Sequence, residues 1–171
     1  MHVKRNILPN EVRRYLHQHH ILTLATVSGG VPQAAALFYV ADDRGRLYFL
    51  SDPGSRHCRN LSADSRVAVT IHGEEADWRR IQGLQIEGVA GPVTDPEERA
   101  TAMRLYGARF PGLRKPAQSS DEQGAAVLAA LEQAVLYRIT AHWIRWIDNT
   151  KAFGHKEEWT FDTGGSPKRS P

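Results

Sequence analysis

Residues 47–69, LYFLSDPGSRHCRNLSADSRVAV, gather side chains able to hold an anion. A β-like run ends at Ser51 and stops at Pro53-Gly54; a short helix is expected from Ser55 to about Leu61, and a second β-like run from Arg66. Arg56, His57 and Arg59 crowd the first turn of that helix. Cations complement the opposite end of a helix, and each one placed at the N-terminus opposes the dipole by ~0.3–1 kcal/mol. A bound phosphate reverses that sign. Gly54 allows close backbone approach, and Ser55 is a good N-cap and hydroxyl donor. The amides that open a helix form an anion site, and the Arg56 fork matches phosphate oxygens. The same residues equally suit a surface turn with solvated arginines.

Other chemistries find less support. His17, His19 and His20 (HQHH) close a surface helix with no carboxylate or cysteine at ligand spacing, so no metal site is expected. Cys58 is the single cysteine, which excludes an intramolecular disulfide and a Cys-based zinc site. Its place at a basic helix start favours a thiolate, but a small buried residue is the more common role. No Ser-His-Asp set or carboxylate pair stands out, so hydrolysis has no support. Neither G-x-G-x-x-G nor a P-loop occurs.

A chain of 171 residues suits one domain with a real core. No apolar run approaches the roughly 20 residues of a membrane span, and MHVKRNILPNEVRRYL lacks the apolar core of a signal peptide. A cytoplasmic protein is expected. The net charge of +3 comes from scattered arginines and a PKRSP tail, which demands no nucleic-acid surface.

The elements that must position these groups read as follows. A helix spans about 9–19, with Asn10 as its cap. Strands are expected at 21–27, 32–41, 46–51, 66–71, 81–93 and 134–147, with a turn at Ser28-Gly29-Gly30 and a hairpin turn at 42–45. Glycines 83, 88 and 91 mark bulges or close approach in the fifth strand. A helix at 95–110 starts with Asp95 as cap and Pro96 as first residue. A loop at 111–124 and a short helix at 125–133 follow, and the tail from about 161 to 171 reads as disordered. Short hairpins and one long glycine-marked strand favour a small closed or half-closed barrel.

The stretch FLSDPGSRHCRNLSADSRVAV resembles the phosphate-binding segment of the pyridoxamine 5'-phosphate oxidase-like, FMN-binding split β-barrel family. There a strand ends in Thr or Ser, and Ser-Arg-Lys opens a short helix. The element order from Ile21 to Ile147 is similar too, including a G-x-P hairpin at Gly30–Pro32, so the likeness covers about three quarters of the chain. DNTKAFGHKEEW resembles the YhbP-like subgroup of that fold. The resemblance implies a mainly β (α+β) fold: a six-stranded antiparallel split β-barrel with flanking short helices, one domain over residues 1–160.

It also implies a homodimer with FMN at the subunit interface. The family's phosphate ligands carry over onto Ser51, Arg56 and His57, with Ser55 beside them. The isoalloxazine is implied against residues 34–38, where Ala34, Ala35, Ala36 and Leu37 are the expected contacts. Trp143 and Trp146 point to opposite strand faces, and Trp146 is the expected flavin neighbour. Asn149, Phe153 and His155 lie in a loop able to reach the site or in an ordinary C-terminal arm. His57 departs from the family's lysine, so flavin affinity is expected to be lower or pH-dependent. Pyridoxamine 5'-phosphate oxidase itself is not expected, because its closing Arg-x-His and Arg-Leu-x-Pro motifs are missing from HWIRWIDNTKAFGHKEEW. The expected function is a flavin-dependent oxidoreductase or flavin reductase of unknown substrate. The alternatives are a non-catalytic flavin carrier, or a split barrel that binds haem or a deazaflavin. No catalytic residue is assigned.

Overall fold

Alternating burial writes the sheet. In β1 (Ile21–Ser28) Leu22, Leu24 and Thr26 point inward. In β5 (Arg66–His72) Val67, Val69 and Ile71 do so, and in β6 (Gln82–Pro92) Leu84, Ile86 and Ala90. A strand set with one buried face belongs to an antiparallel sheet curled over a core. The structure is a computed structural model that describes residues 8–114, 122–161 and 167–169.

β2 (Val31–Phe38) returns along β1 through Gly29-Gly30, whose φ angles of 56° and 77° suit a two-residue hairpin turn. The sheet order is β2-β1-β5-β6-β7-β4-β3, with β3 at Val40–Ala41, β4 at Leu47–Ser51 and β7 at Val135–Asp148. Every ladder is antiparallel, and the sheet forms a split barrel. β7 is shared: its first half pairs with β4, its second half with β8 (Lys156–Phe161), and β6 runs along both. β6 keeps pace through a bulge at Glu87/Gly88. A Cβ at Gly88 would run into the Thr140 carbonyl, which is why glycine stands there.

Val12, Tyr15 and Leu16 of α1 (Asn10–Gln18) and Cys58 and Leu61 of α2 (Arg56–Ala63) fill the concave face. A second cluster of Val40, Tyr48, Ala102, Tyr106 and Leu136 lies under α3 (Pro96–Arg109). The last helix, α4, spans Glu122–Gln133.

All six expected strands form, and the described residues add β3, β8 and β9 (Pro167–Arg169). The single strand expected at 32–41 is broken at Tyr39. That side chain turns into the core, where its hydroxyl donates to the Leu16 carbonyl at 2.8 Å, so the alternation fails at Tyr39, Val40 and Ala41. The tail is corrected in part: Phe161 closes β8, and Pro167–Arg169 pairs with it, because β8 offers a free edge. Residues 162–166 and 170–171 lie outside the described residues, as does most of the expected loop, 115–121. The N-cap of α1 is Pro9 rather than Asn10, whose carboxamide instead accepts from Arg13 at 2.6 Å. Asp95 caps α3 as expected, accepting from the Glu97 amide at 3.2 Å.

Candidate functional site

β4 delivers Ser51 at its last ladder position, opposite Val135 of β7. The chain then turns tightly: Asp52 Oδ1 accepts from the Gly54 amide at 2.7 Å, and the Asp52 carbonyl from the Ser55 amide at 2.9 Å. Ser55 caps α2, its Oγ accepting from the Cys58 amide at 3.3 Å. This strand–turn–helix corner brings three predicted residues together. His57 Nε2 lies 2.7 Å from Ser51 Oγ and 3.1 Å from Ser55 Oγ, and the two hydroxyls are 3.4 Å apart. The backbone amides of Arg56 and His57 open the helix and have no intrahelical acceptor.

His57 is only 9% exposed, and burial lowers its pKa from the ordinary value, which leaves the ring uncharged at neutral pH. Arg56 is exposed and has no hydrogen-bond or ion-pair partner among the described residues. Arg59 is occupied: its Nη1 donates to the Gly54 carbonyl and ties the turn to the helix. The corner therefore offers two hydroxyls, two backbone donors, an imidazole and one unpaired guanidinium, a donor set suited to a phosphate.

Behind it, Phe49 stacks on Tyr137 with centroids 5.2 Å apart, and the His57 ring sits 6.3 Å from Phe49. Cys58 is buried beside Tyr137. Burial first, and then the neighbouring Cys58, push the phenol above its ordinary range. Cys58 is thus packed in the core rather than exposed.

Sequence reasoning missed how this corner is fastened to β1 and β2. Asn60 is buried on α2 and donates through Nδ2 to Thr26 Oγ1 of β1 at 3.0 Å and to Gln33 Oε1 of β2 at 3.4 Å. Gln33 immediately precedes the alanines of β2. The available signals were an asparagine inside a short helix and a threonine at an inward position of β1.

The β2 residues divide by face. Ala34 and Ala36 are exposed, whereas Ala35 and Leu37 are half-buried on the other face, and Leu37 packs on the core. The four expected contacts therefore do not present their side chains to one ligand together, a consequence of strand alternation. Trp146 lies away from this corner. It is 2% exposed, packs edge-on against Tyr15 at 4.7 Å, and lies eleven residues along β7 from Val135, roughly 35 Å of strand at ~3.3 Å per residue. Asn149, Phe153 and His155 sit at that same far end. There Asn149 donates to the Trp78 carbonyl at 2.7 Å, and Phe153 meets Trp78 at 5.3 Å. The HQHH histidines diverge: His17 is exposed, His19 Nδ1 lies 2.9 Å from the Tyr15 carbonyl, and Arg109 donates to His20 at 2.9 Å.

The family model described as pyridoxamine 5'-phosphate oxidase matches residues 8–145, which hold β1 to β6, the α2 corner and most of β7. The chain belongs to that family. Within it, the chain is 29% identical over 153 residues to the UPF0306 protein YhbP of Salmonella schwarzengrund, covering 89% of this chain and 92% of that one. The structure of the conserved hypothetical protein Rv2991 of Mycobacterium tuberculosis superposes with a TM-score of 0.66 at 25% identity, over 88% of this chain and 92% of that one. HutZ, the haem storage protein of Vibrio cholerae, shares the fold with a TM-score of 0.59 at 22% identity, over 79% and 90%. No helix among the described residues is long and apolar enough to cross a membrane.

Proposed function

We propose that this member of the pyridoxamine 5'-phosphate oxidase family binds FMN and acts as a flavin-dependent oxidoreductase or flavin reductase. The observation that carries the reading is the convergence of Ser51, Ser55 and His57 at the start of α2, beside an Arg56 that has no partner among the described residues. The two hydroxyls, the opening amides of α2 and the Arg56 fork hold the phosphate. Ala34 and Ala36 give the flat ring close access to the β2 backbone, and Asn60 fixes β2 relative to the phosphate corner. The flavin supplies the redox chemistry, and the chain supplies binding, orientation and exclusion of water.

The assembly is a homodimer in this reading. Ile21, Val31 and Phe38, at the ends of the β1–β2 hairpin, are large apolar residues left 50–60% exposed, a surface suited to a second copy.

Denaturing release of ligand from the purified protein, followed by absorbance and mass, tests the reading. A flavin spectrum with the mass of FMN is expected, with NAD(P)H consumption by the loaded protein. Bound FMN without turnover would make the protein a carrier, and a Soret band in place of the flavin spectrum would overturn the FMN reading. Light scattering is expected to give a dimer at micromolar concentration; a stable monomer would remove that part.

A further inference from the structure

We propose that a phosphomonoester enters the α2 corner together with one proton, which His57 takes up behind the hydroxyls of Ser51 and Ser55. The inference rests on the phosphate reading of that corner and adds a coupling that reading does not contain.

Charge balance is the first ground. His57 touches Ser51 of β4, Ser55 at the cap of α2 and the Phe49 ring; the charged groups nearest it along this corner are Arg56 and Arg59 of α2 and Asp52 of the turn. Asp52 is engaged by the Gly54 amide, and Arg59 by the Gly54 carbonyl. Two arginines and one aspartate leave a single net positive charge. A phosphomonoester brings close to −2 at pH 7, so about one negative charge stays unmatched. His57 is the remaining group able to supply the positive charge, and a neighbouring anion favours the imidazolium.

Hydrogen-bond polarity is the second ground. Nε2 is within bonding distance of both hydroxyls, at 2.7 and 3.1 Å. A neutral ring with its proton on Nδ1 accepts a hydroxyl proton and turns that serine's lone pairs towards the ligand. A neutral ring can carry its proton on either nitrogen, whereas the imidazolium fixes Nε2 as a donor. Ser51 and Ser55 then accept from Nε2 and aim their own protons at the phosphate oxygens. Because His57 is almost wholly buried, it works through these two serines; it is a positioning residue.

The empty ring is uncharged at neutral pH, so the proton comes from solvent when the phosphate binds. Affinity therefore falls as pH rises across the interval between the empty-site and occupied-site His57 values, by at most tenfold per pH unit. Below about pH 6 the phosphate loses its second charge, which works the other way.

Calorimetric titration of FMN into flavin-stripped protein at pH 7.5 tests this, in PIPES and in Tris at equal ionic strength. The difference in heat between the buffers counts protons. The expected result is close to one proton taken up per FMN by wild type, and none with riboflavin. His57→Lys, charged to about pH 10, and His57→Gln are each expected to bind FMN with no uptake, their folding checked by thermal melting. FMN binding by wild type without proton uptake would overturn the inference and leave the flavin reading intact. So would unchanged uptake in both variants, by placing the proton elsewhere. Failure to bind FMN in any buffer would remove the flavin reading and this inference together.

Discussion

At Glu98, side-chain donors converge on one carboxylate that is only 10% exposed: Arg46, Tyr48 and Arg138, each at 2.8 Å. Asp42 takes the remaining face of Arg46 at 2.7 Å. At the start of α2, by contrast, two hydroxyls and an imidazole converge, the one acid of the turn, Asp52, is taken by the Gly54 amide, and Arg56 faces solvent. The first arrangement closes on itself and joins α3 to β4 and β7. The second is left open. A guanidinium that already has its carboxylate contributes to the fold, whereas one left beside unpaired donors at a helix N-terminus is available to an anion. Charge pairing, more than the presence of arginine, separates scaffold from site here.

Changing the closed cluster should move stability and not flavin. Glu98→Gln leaves Arg46 and Arg138 facing a neutral amide, and should cost about 2–3 kcal/mol in urea unfolding, the range for charge-assisted bonds in a partly buried cluster. The FMN dissociation constant should stay within about twofold. Burial pushes the Glu98 pKa up, but the bonds from Tyr48 and Arg138 and the field of Arg46 outweigh it, so the net shift is downward. For a depressed carboxylate the stabilisation is present above its unfolded value, ~4.3, and is lost as pH falls through the folded one. The gap between wild type and variant should therefore be full at pH 6 and shrink below about pH 4. A gap that persisted undiminished at pH 3 would show that the charge on Glu98 is not what stabilises.

The open corner should respond the other way. Arg56→Ala should weaken FMN by about ten- to a hundredfold, from a charge-assisted bond worth roughly 1.5–3 kcal/mol, and leave riboflavin affinity and the urea midpoint unchanged. Equal loss for both ligands would take Arg56 off the phosphate, and a lowered midpoint would make it a structural residue like Arg46.

The contrast also explains what the sequence could reveal. Ser51, Ser55, Arg56 and His57 lie within seven residues, on a strand end, a turn and a helix start, so local chemistry predicts their meeting. The strands of the sheet were legible because one-sided burial imposes period-two alternation on β1, β5 and β6. Glu98 carries no local signal of its role, since its partners Tyr48 and Arg138 are fifty and forty residues away and no local pattern joins them. β8 escaped because it is flanked by β7 and the short β9, and within it only Trp159 is buried, too little to write an alternation. The resemblance implies four consecutive β2 contacts, and on a strand consecutive side chains divide onto two faces.

Trp146 gives the smallest expected effect and the sharpest check on which end of β7 carries the site. Its indole Nε1 is buried and has no hydrogen-bond partner among the described residues. Trp146→Phe removes that unpaired donor, which recovers about 1–3 kcal/mol of desolvation cost. It also removes ring volume from the contact with Tyr15, where a partial truncation of a large core side chain costs about 1–2 kcal/mol. The two terms oppose each other, so the unfolding free energy should change by less than about 1 kcal/mol. FMN affinity should not change at all, because the side chain has no surface to offer a ligand and stands eleven residues along β7 from the position opposite Ser51. Fluorescence titration with FMN checks this directly. A tenfold loss of affinity with the urea midpoint preserved would mean that the inner face at the Tyr15 end of β7 opens to the flavin, and that the α2 corner is not the whole of the site.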